Sequence, residues 1–144
     1  MIWLLRHGEA EDGAGKDDID RELTEKGKRQ STDAGRAMAA LGVELDACLT
    51  SPAVRARDTA ELACGELGVE VEIEDRLWGG EFDPLELATG RGDVMLVGHE
   101  PDLSSAIAMV TGSRVRMRKG GLAALDDRLL HLLLRSKDLS SIAG

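Results

Sequence analysis

The chain has 144 residues, a formal net charge of −9 at pH 7 and 42% apolar content, with two Trp, one Phe and no Tyr. That length corresponds to a single domain, residues 1–144, large enough to bury roughly 70% of its unfolded surface. The acidic balance excludes general DNA binding and adsorption to an anionic membrane, and so few aromatic rings leave little to stack single-stranded bases.

With aromatics scarce, the core must be built from Leu, Val, Ile and Ala. Cys48 and Cys64 lie inside apolar segments, and the N-terminus lacks a basic stretch leading into an apolar one, so they read as reduced core residues. No run reaches the ~18 apolar residues that span a bilayer. A cytoplasmic location is the expectation.

In chain order, residues 1–5 form an apolar strand that ends in Arg6-His7-Gly8. Residues 9–22 are an acidic loop with Glu9, Glu11, Asp12, Asp17, Asp18, Asp20 and Glu22. Thr24 can cap a helix to about Leu41, with Ala34, Ala37, Met38 and Leu41 on one face and Gly42 beyond its end. Residues 46–50 read as a short buried strand. Ser51 as N-cap and Pro52 at the first helical position start a second helix, which runs to about Leu67. Val69, Val71 and Ile73 alternate with Glu70, Glu72 and Glu74, the pattern of a strand near a sheet edge.

Residues 75–92 are irregular, with a short helix over 84–88. The unbroken apolar run 94–97 is a central strand covered on both faces, and it ends in Gly98-His99-Glu100-Pro101. Pro101 opens a helix with Leu103, Ala106, Ile107 and Val110 on one face, closed by Gly112. The tail reads as strands: 114–118, where basic and apolar residues alternate, then 122–125 and 129–134 around a turn. Alternating strands and helices followed by late strands indicate an α/β protein with a partly antiparallel sheet.

Three strand ends carry the chemistry. The first ends in Arg6-His7-Gly8, the second leads through Ser51-Pro52 to Arg55, and the central one ends in Gly98-His99. If these strands are parallel neighbours, two arginines and two histidines surround one pocket, suited to a compact, multiply charged anion such as phosphate. Arg55 falls in the first turn of a helix, where the macrodipole disfavours a cation and free N–H groups favour an anion.

Arg6-His7-Gly8-Glu9 resembles the RHG signature of the histidine phosphatase superfamily. Leu23-Thr24-x-x-Gly27-x-x-Gln30, Ser51-Pro52-x-x-Arg55-x-x-x-Thr59 and Val97-Gly98-His99-Glu100-Pro101 are similar to the motifs that follow it, in the same order. Small size and the absence of a large insertion resemble the SixA branch, whose members remove phosphate from phosphohistidine on signalling proteins. The resemblance implies a phosphoglycerate mutase-like fold, three layers α/β/α around a mixed, mostly parallel sheet. It also implies that His7 attacks phosphorus and forms a phosphohistidine that water hydrolyses. Arg6, Arg55 and His99 would hold the phosphoryl oxygens, with His7 held by a backbone carbonyl at its other nitrogen. Gly8, Ser51 and Glu100 join them as substrate-binding candidates. No metal or other cofactor is implied.

Leaving-group protonation calls for a carboxyl group, and Glu81, in Trp78-Gly79-Gly80-Glu81, is the first candidate. Glu100 holds the position that another branch uses for an acid. A phosphohistidine substrate has a good leaving group and asks less of an acid. Thr59 reads as a packing or orienting residue and His131 as structural. Arg114, Arg116, Arg118 and Lys119 form either a solvated basic face or a docking strip for an acidic protein. Glu22 departs from the proline often found before the Leu-Thr pair, and no aromatic-rich lid is encoded, which argues against a mutase. The expected substrate is a phosphorylated protein such as a histidine phosphotransfer domain. A small phosphorylated metabolite, or phosphate binding without turnover, remains open.

Overall fold

The computed structural model describes residues 1–144 as a six-stranded mixed sheet with helices on both faces. The elements are β1 (Ile2–Arg6), α1 (Glu25–Ala40), β2 (Ala47–Thr50), α2 (Val54–Gly65), β3 (Val71–Ile73), α3 (Pro84–Ala88), β4 (Val94–Gly98), α4 (Asp102–Thr111), β5 (Leu122–Asp126), β6 (Leu129–Leu134) and α5 (Ser136–Ala143). Short 3-10 turns cover Asp18–Asp20 and Asp75–Leu77. No helix is long and apolar enough to cross a membrane.

The strand order is β3-β2-β4-β1-β5-β6. β3, β2, β4 and β1 run parallel, while β5 and β6 are antiparallel to their neighbours. Strand alternation divides the core into two layers. Ile2, Leu4, Leu49, Val94 and Leu96 face one layer, closed by Leu77, Phe82, Leu87 and the α4 residues Leu103, Ala106, Ile107 and Val110. Trp3, Leu5, Cys48, Met95 and Val97 face the other, closed by α1, α2 and Leu139 of α5. Both cysteine thiols are free and buried.

The expected strands and caps largely form. Thr24 Oγ1 accepts from the Gly27 N–H at 3.1 Å, and Gly42 takes the left-handed conformation beyond α1. Three expectations are corrected. First, α2 begins at Val54 with Ala53 at its N-cap, not at Ser51-Pro52. Ser51 Oγ does accept from the Ala53 N–H at 3.2 Å, but it shapes the turn ahead of the helix.

Second, residues 114–118 are not a strand. Their alternation is real, with Met117 buried and Arg114, Arg116 and Arg118 exposed. The free side of β1 is taken by β5, however, so the segment has no ladder to join. Its Met117 N–H is satisfied by Glu100 Oε2 and Ser104 Oγ at 3.3 and 3.2 Å. Third, the chain closes on a helix, α5, where the tail had read as strands throughout. The Asp138 carboxylate accepts from the Arg135 N–H at 2.9 Å, and the apolar face Leu139, Ile142 and Ala143 packs into the α1 layer.

Candidate functional site

Parallel register brings three strand ends level. Arg6 pairs with Gly98 across β1 and β4, and Thr50 pairs with Val97 across β2 and β4. The next residue on each strand therefore emerges on one edge: His7 N–H donates to the Gly98 carbonyl at 3.2 Å, and Ser51 N–H to the Val97 carbonyl at 3.0 Å. This edge is also the topological switch point. β1 and β2 feed helices on one face of the sheet, and β4 feeds α4 on the other. Ligands of open α/β sheets lie at such points.

His7, Arg55, Ser51 and His99 are all buried there, and the imidazoles stand 5.1 Å apart. His7 Nδ1 lies 2.7 Å from the Gly8 carbonyl. A carbonyl only accepts, so Nδ1 carries the proton and Nε2 keeps its lone pair. Burial pushes the His7 pKa down to about 3. The Gly8 bond pulls it up, and His99, Arg55 and Arg6 push it down further. His99 is lowered to about 4 by burial and by Arg55. Both rings are neutral near pH 7.

The arginines reach the same edge from different elements. Arg6 Nη1 donates to the Met117 carbonyl at 3.0 Å. Arg55 is held by Asp18, its Nη1 on the backbone carbonyl at 2.7 Å and its Nη2 on the carboxylate at 3.3 Å. Its guanidinium lies over the Trp78 ring, 5.5 Å from the centroid, and Trp78 meets His99 edge-on at 5.2 Å. Arg6 Nε, Arg55 Nε and His99 Nδ1 are buried with no hydrogen-bond partner. Buried polar atoms are rarely left so. Three of them, one on β1, one just after β4 and one in the first turn of α2, mark where a compact oxyanion would be held. No three His, Cys, Asp or Glu side chains cluster closely enough to ligate a metal ion.

The segment under His7 is braced. The Gly8 N–H donates to Thr59 Oγ1 at 3.1 Å, which itself donates to the Arg55 carbonyl at 2.7 Å. Thr59 is thus the orienting residue its position suggested, linking the two signature motifs. The Glu9 N–H donates to Gln30 Oε1 at 2.8 Å, and Thr24 Oγ1 donates to the Glu9 carboxylate at 2.7 Å. A Cβ on Gly27 would overlap the Glu9 carbonyl, and one on Gly8 would lie 2.5 Å from the Gly27 carbonyl oxygen. The Leu23-to-Gln30 motif is the part of α1 and its cap that clamps the strand end.

The structure brings Arg6, His7, Gly8, Ser51, Arg55 and His99 together. Gly8 contributes its carbonyl to His7, its N–H being committed to Thr59. Ser51 Oγ lies 2.8 Å from His99 Nε2. Glu100 turns away to cap α4: Oε1 accepts from the Ser104 N–H at 2.8 Å, and Oε2 from the Ser104 hydroxyl. Glu81 is exposed and lines a hollow of about 190 Å³ with Phe82, Ser105, Ala106 and Met109, which neither arginine and neither histidine lines. Asp18 and Trp78 also belong to the site, and the sequence pattern does not single them out. Trp78, one of only three aromatic residues, in a glycine-rich loop, was the available signal.

Residues 2–91 match the model of the histidine phosphatase superfamily, branch 1. An uncharacterized protein of Picosynechococcus sp. is 36% identical over 137 residues, covering 86% of this chain and 83% of that protein. Among solved structures, SixA of Agrobacterium tumefaciens, designated a candidate phosphohistidine phosphatase, superposes with a TM-score of 0.80 at 27% identity, covering 92% of this chain and 96% of that one. The protein histidine phosphatase SixA complexed with tungstate gives a TM-score of 0.82 at 22% identity, covering 96% and 98%.

Proposed function

Because this chain belongs to the histidine phosphatase superfamily, we propose that it hydrolyses phosphohistidine on a protein through a covalent intermediate at His7. The observation that carries the reading is the His7–Gly8 contact. It fixes the tautomer, and burial keeps the ring neutral, so that Nε2 is bare beside the half-buried Arg6 and the buried Arg55, each with a buried, unpartnered Nε. The likeness to SixA structures supports the substrate class.

In the first step His7 Nε2 donates its lone pair to phosphorus, and the P–N bond to the substrate imidazole breaks. The leaving imidazole keeps the bonding pair and takes a proton from solvent. Arg6, Arg55 and His99 donate to the phosphoryl oxygens, whose charge shifts as the group transfers. In the second step water attacks phosphorus and loses a proton to solvent. The P–Nε2 bond breaks, releasing inorganic phosphate and neutral His7. Imidazole leaves readily, so this step asks for no carboxylic acid, and Glu81, at its separate hollow, takes no part in it.

Trapping tests this. Wild type incubated with a radiolabelled phosphohistidine protein and quenched in base should retain label on one histidine. His7→Ala should retain none and lose turnover by about 10³-fold or more, the scale on which a covalent nucleophile matters. Turnover surviving in His7→Ala would sink the covalent route. A metabolite panel preferred over the phosphoprotein would sink the substrate assignment.

A further inference from the structure

The phosphate pocket has two unlike rims. On the Arg55 side lies the acidic loop, with Asp18 against the guanidinium and Arg21 and Lys16 paired within it. On the Arg6 side lies the segment 113–119. It is bolted to the nucleophile strand at two points: the Met117 carbonyl accepts from Arg6 Nη1 at 3.0 Å, and the Gly120 N–H donates to the His7 carbonyl at 3.0 Å. Met117 is fully buried, so the segment keeps a fixed face outward.

That face carries Arg114, Arg116, Arg118 and Lys119, all exposed. None makes an ion pair or a side-chain hydrogen bond, although acidic residues outnumber basic ones 27 to 18. Elsewhere on the surface Arg21, Arg36, Arg76, Arg91 and Arg135 have each found a carboxylate, and the exposed cations left without one, Lys26, Arg29, Arg57, Arg128 and Lys137, are scattered singly or in a pair. Four unpaired cations in six residues, held rigidly beside Arg6, form a positive shelf on a negative molecule. Arg116 and Arg118 also line a hollow of about 310 Å³ with Leu133, Leu134, Arg135 and Asp138, whose carboxylate is taken by Arg135, leaving room for a partner's side chain.

We propose that this shelf docks the phosphoprotein substrate through carboxylates that flank its phosphorylated residue. The proposal rests on the phosphohistidine-protein reading of the pocket and names the surface that would select such a substrate. A protein with acidic groups beside its phosphohistidine meets cations on the Arg6 side and is turned away by the acidic loop on the other. Docking therefore has one orientation, with the phosphoryl group over His7. A small phosphate ester reaches the pocket without touching the shelf. Rim charges of this kind act chiefly on encounter and on salt dependence.

The test compares two substrates in wild type and in Arg114→Gln/Arg116→Gln/Lys119→Gln. Arg118 is left intact because its charge is felt at Arg6. The substrates are a phosphotransfer protein carrying phosphohistidine on an acidic surface and a small aryl phosphate. The triple variant should raise KM for the phosphoprotein by about tenfold with kcat little changed, and leave kcat/KM for the aryl phosphate within about twofold. In wild type, phosphoprotein kcat/KM should fall more steeply with salt than that of the ester. Equal effects on both substrates, or none on the phosphoprotein, overturn the shelf while leaving the phosphohistidine reading intact. A wild type that fails to turn over the phosphoprotein overturns that reading first and the shelf with it.

Discussion

Arg55 is the second residue of α2, at the positive end of a helix, and Asp18 meets it there with both a carbonyl and a carboxylate. The carbonyl fixes the guanidinium, while the carboxylate, 60% exposed, competes for the nitrogens a phosphoryl oxygen would use. Because the carboxylate stands largely in water although Arg55 is buried, the pair is worth about as little as a surface one, about 0.2–1 kcal/mol. Asp18→Asn should therefore lower KM for an aryl phosphate, and the inhibition constant of inorganic phosphate, by about 1.5–5-fold with kcat little changed. A raised KM would mean that the carboxylate positions Arg55 and does not compete for it. The sequence made one member of this pair visible and hid the other. Arg6 ends a strand, His7 and His99 follow one directly, and Arg55 follows one by a few residues, so recognising the strands places them. Asp18 and Trp78 arrive from irregular loops, whose paths no periodicity records. Asp18 was one carboxylate among seven in the acidic loop.

At the scale of elements, the close approach of α1 to α2 holds the Arg55 and Gln30 supports together. Gly35 permits it: a Cβ there would stand 2.8 Å from Ala63 Cα and collide with the Ala63 carbonyl. Gly65 of α2 has nothing within 4 Å of the same position. The two Gly→Ala variants should thus differ in sign. Gly65→Ala gains up to about 1 kcal/mol from helix propensity, whereas Gly35→Ala loses about 1–3 kcal/mol to overpacking, offset in part by the same propensity. Urea midpoints check this, and a stabilising Gly35→Ala would contradict the close approach. Helices with long apolar faces were readable, as α1 and α4 show. α5 was not, because eight residues give two turns of pattern and follow directly on the apolar run of β6. Residues 114–118 failed for the opposite reason. Alternation reports which side is buried, and Met117 is buried, but it does not report a neighbouring strand. The place beside β1 had gone to β5.

The whole molecule brings two imidazoles and two guanidinium groups to one sheet edge, and its stability should register the crowding. The folded pKa values of His7 and His99, about 3 and about 4, lie below the ordinary histidine value of 6.5. Below pH 6.5 the unfolded chain binds protons that the folded protein refuses. Stability is then fully present above about pH 6.5 and is lost as pH falls toward 4 and 3. The shifted carboxylates act in other windows. Glu11, Asp18, Glu74 and Asp138 are lowered by their cationic partners and lose their contribution below their ordinary values near 4, while Asp102, raised by burial, acts in the opposite sense. Between pH 6.5 and 5 the histidines dominate, and each should cost about 1–2 kcal/mol. Urea midpoints across that range should fall for wild type and stay flatter for His7→Gln/His99→Gln. A flat wild-type profile would contradict the burial of the two rings. A bound oxyanion accepts from the imidazolium and guanidinium donors alike, so it should oppose the loss. Tungstate at about 100 times its dissociation constant should add about 2.7 kcal/mol, or about 5–10 °C in Tm for a chain of this size. The gain should grow as pH drops from 6.5 to 5 and disappear in Arg55→Ala if the edge that refuses protons under acid is also the edge where the anion binds.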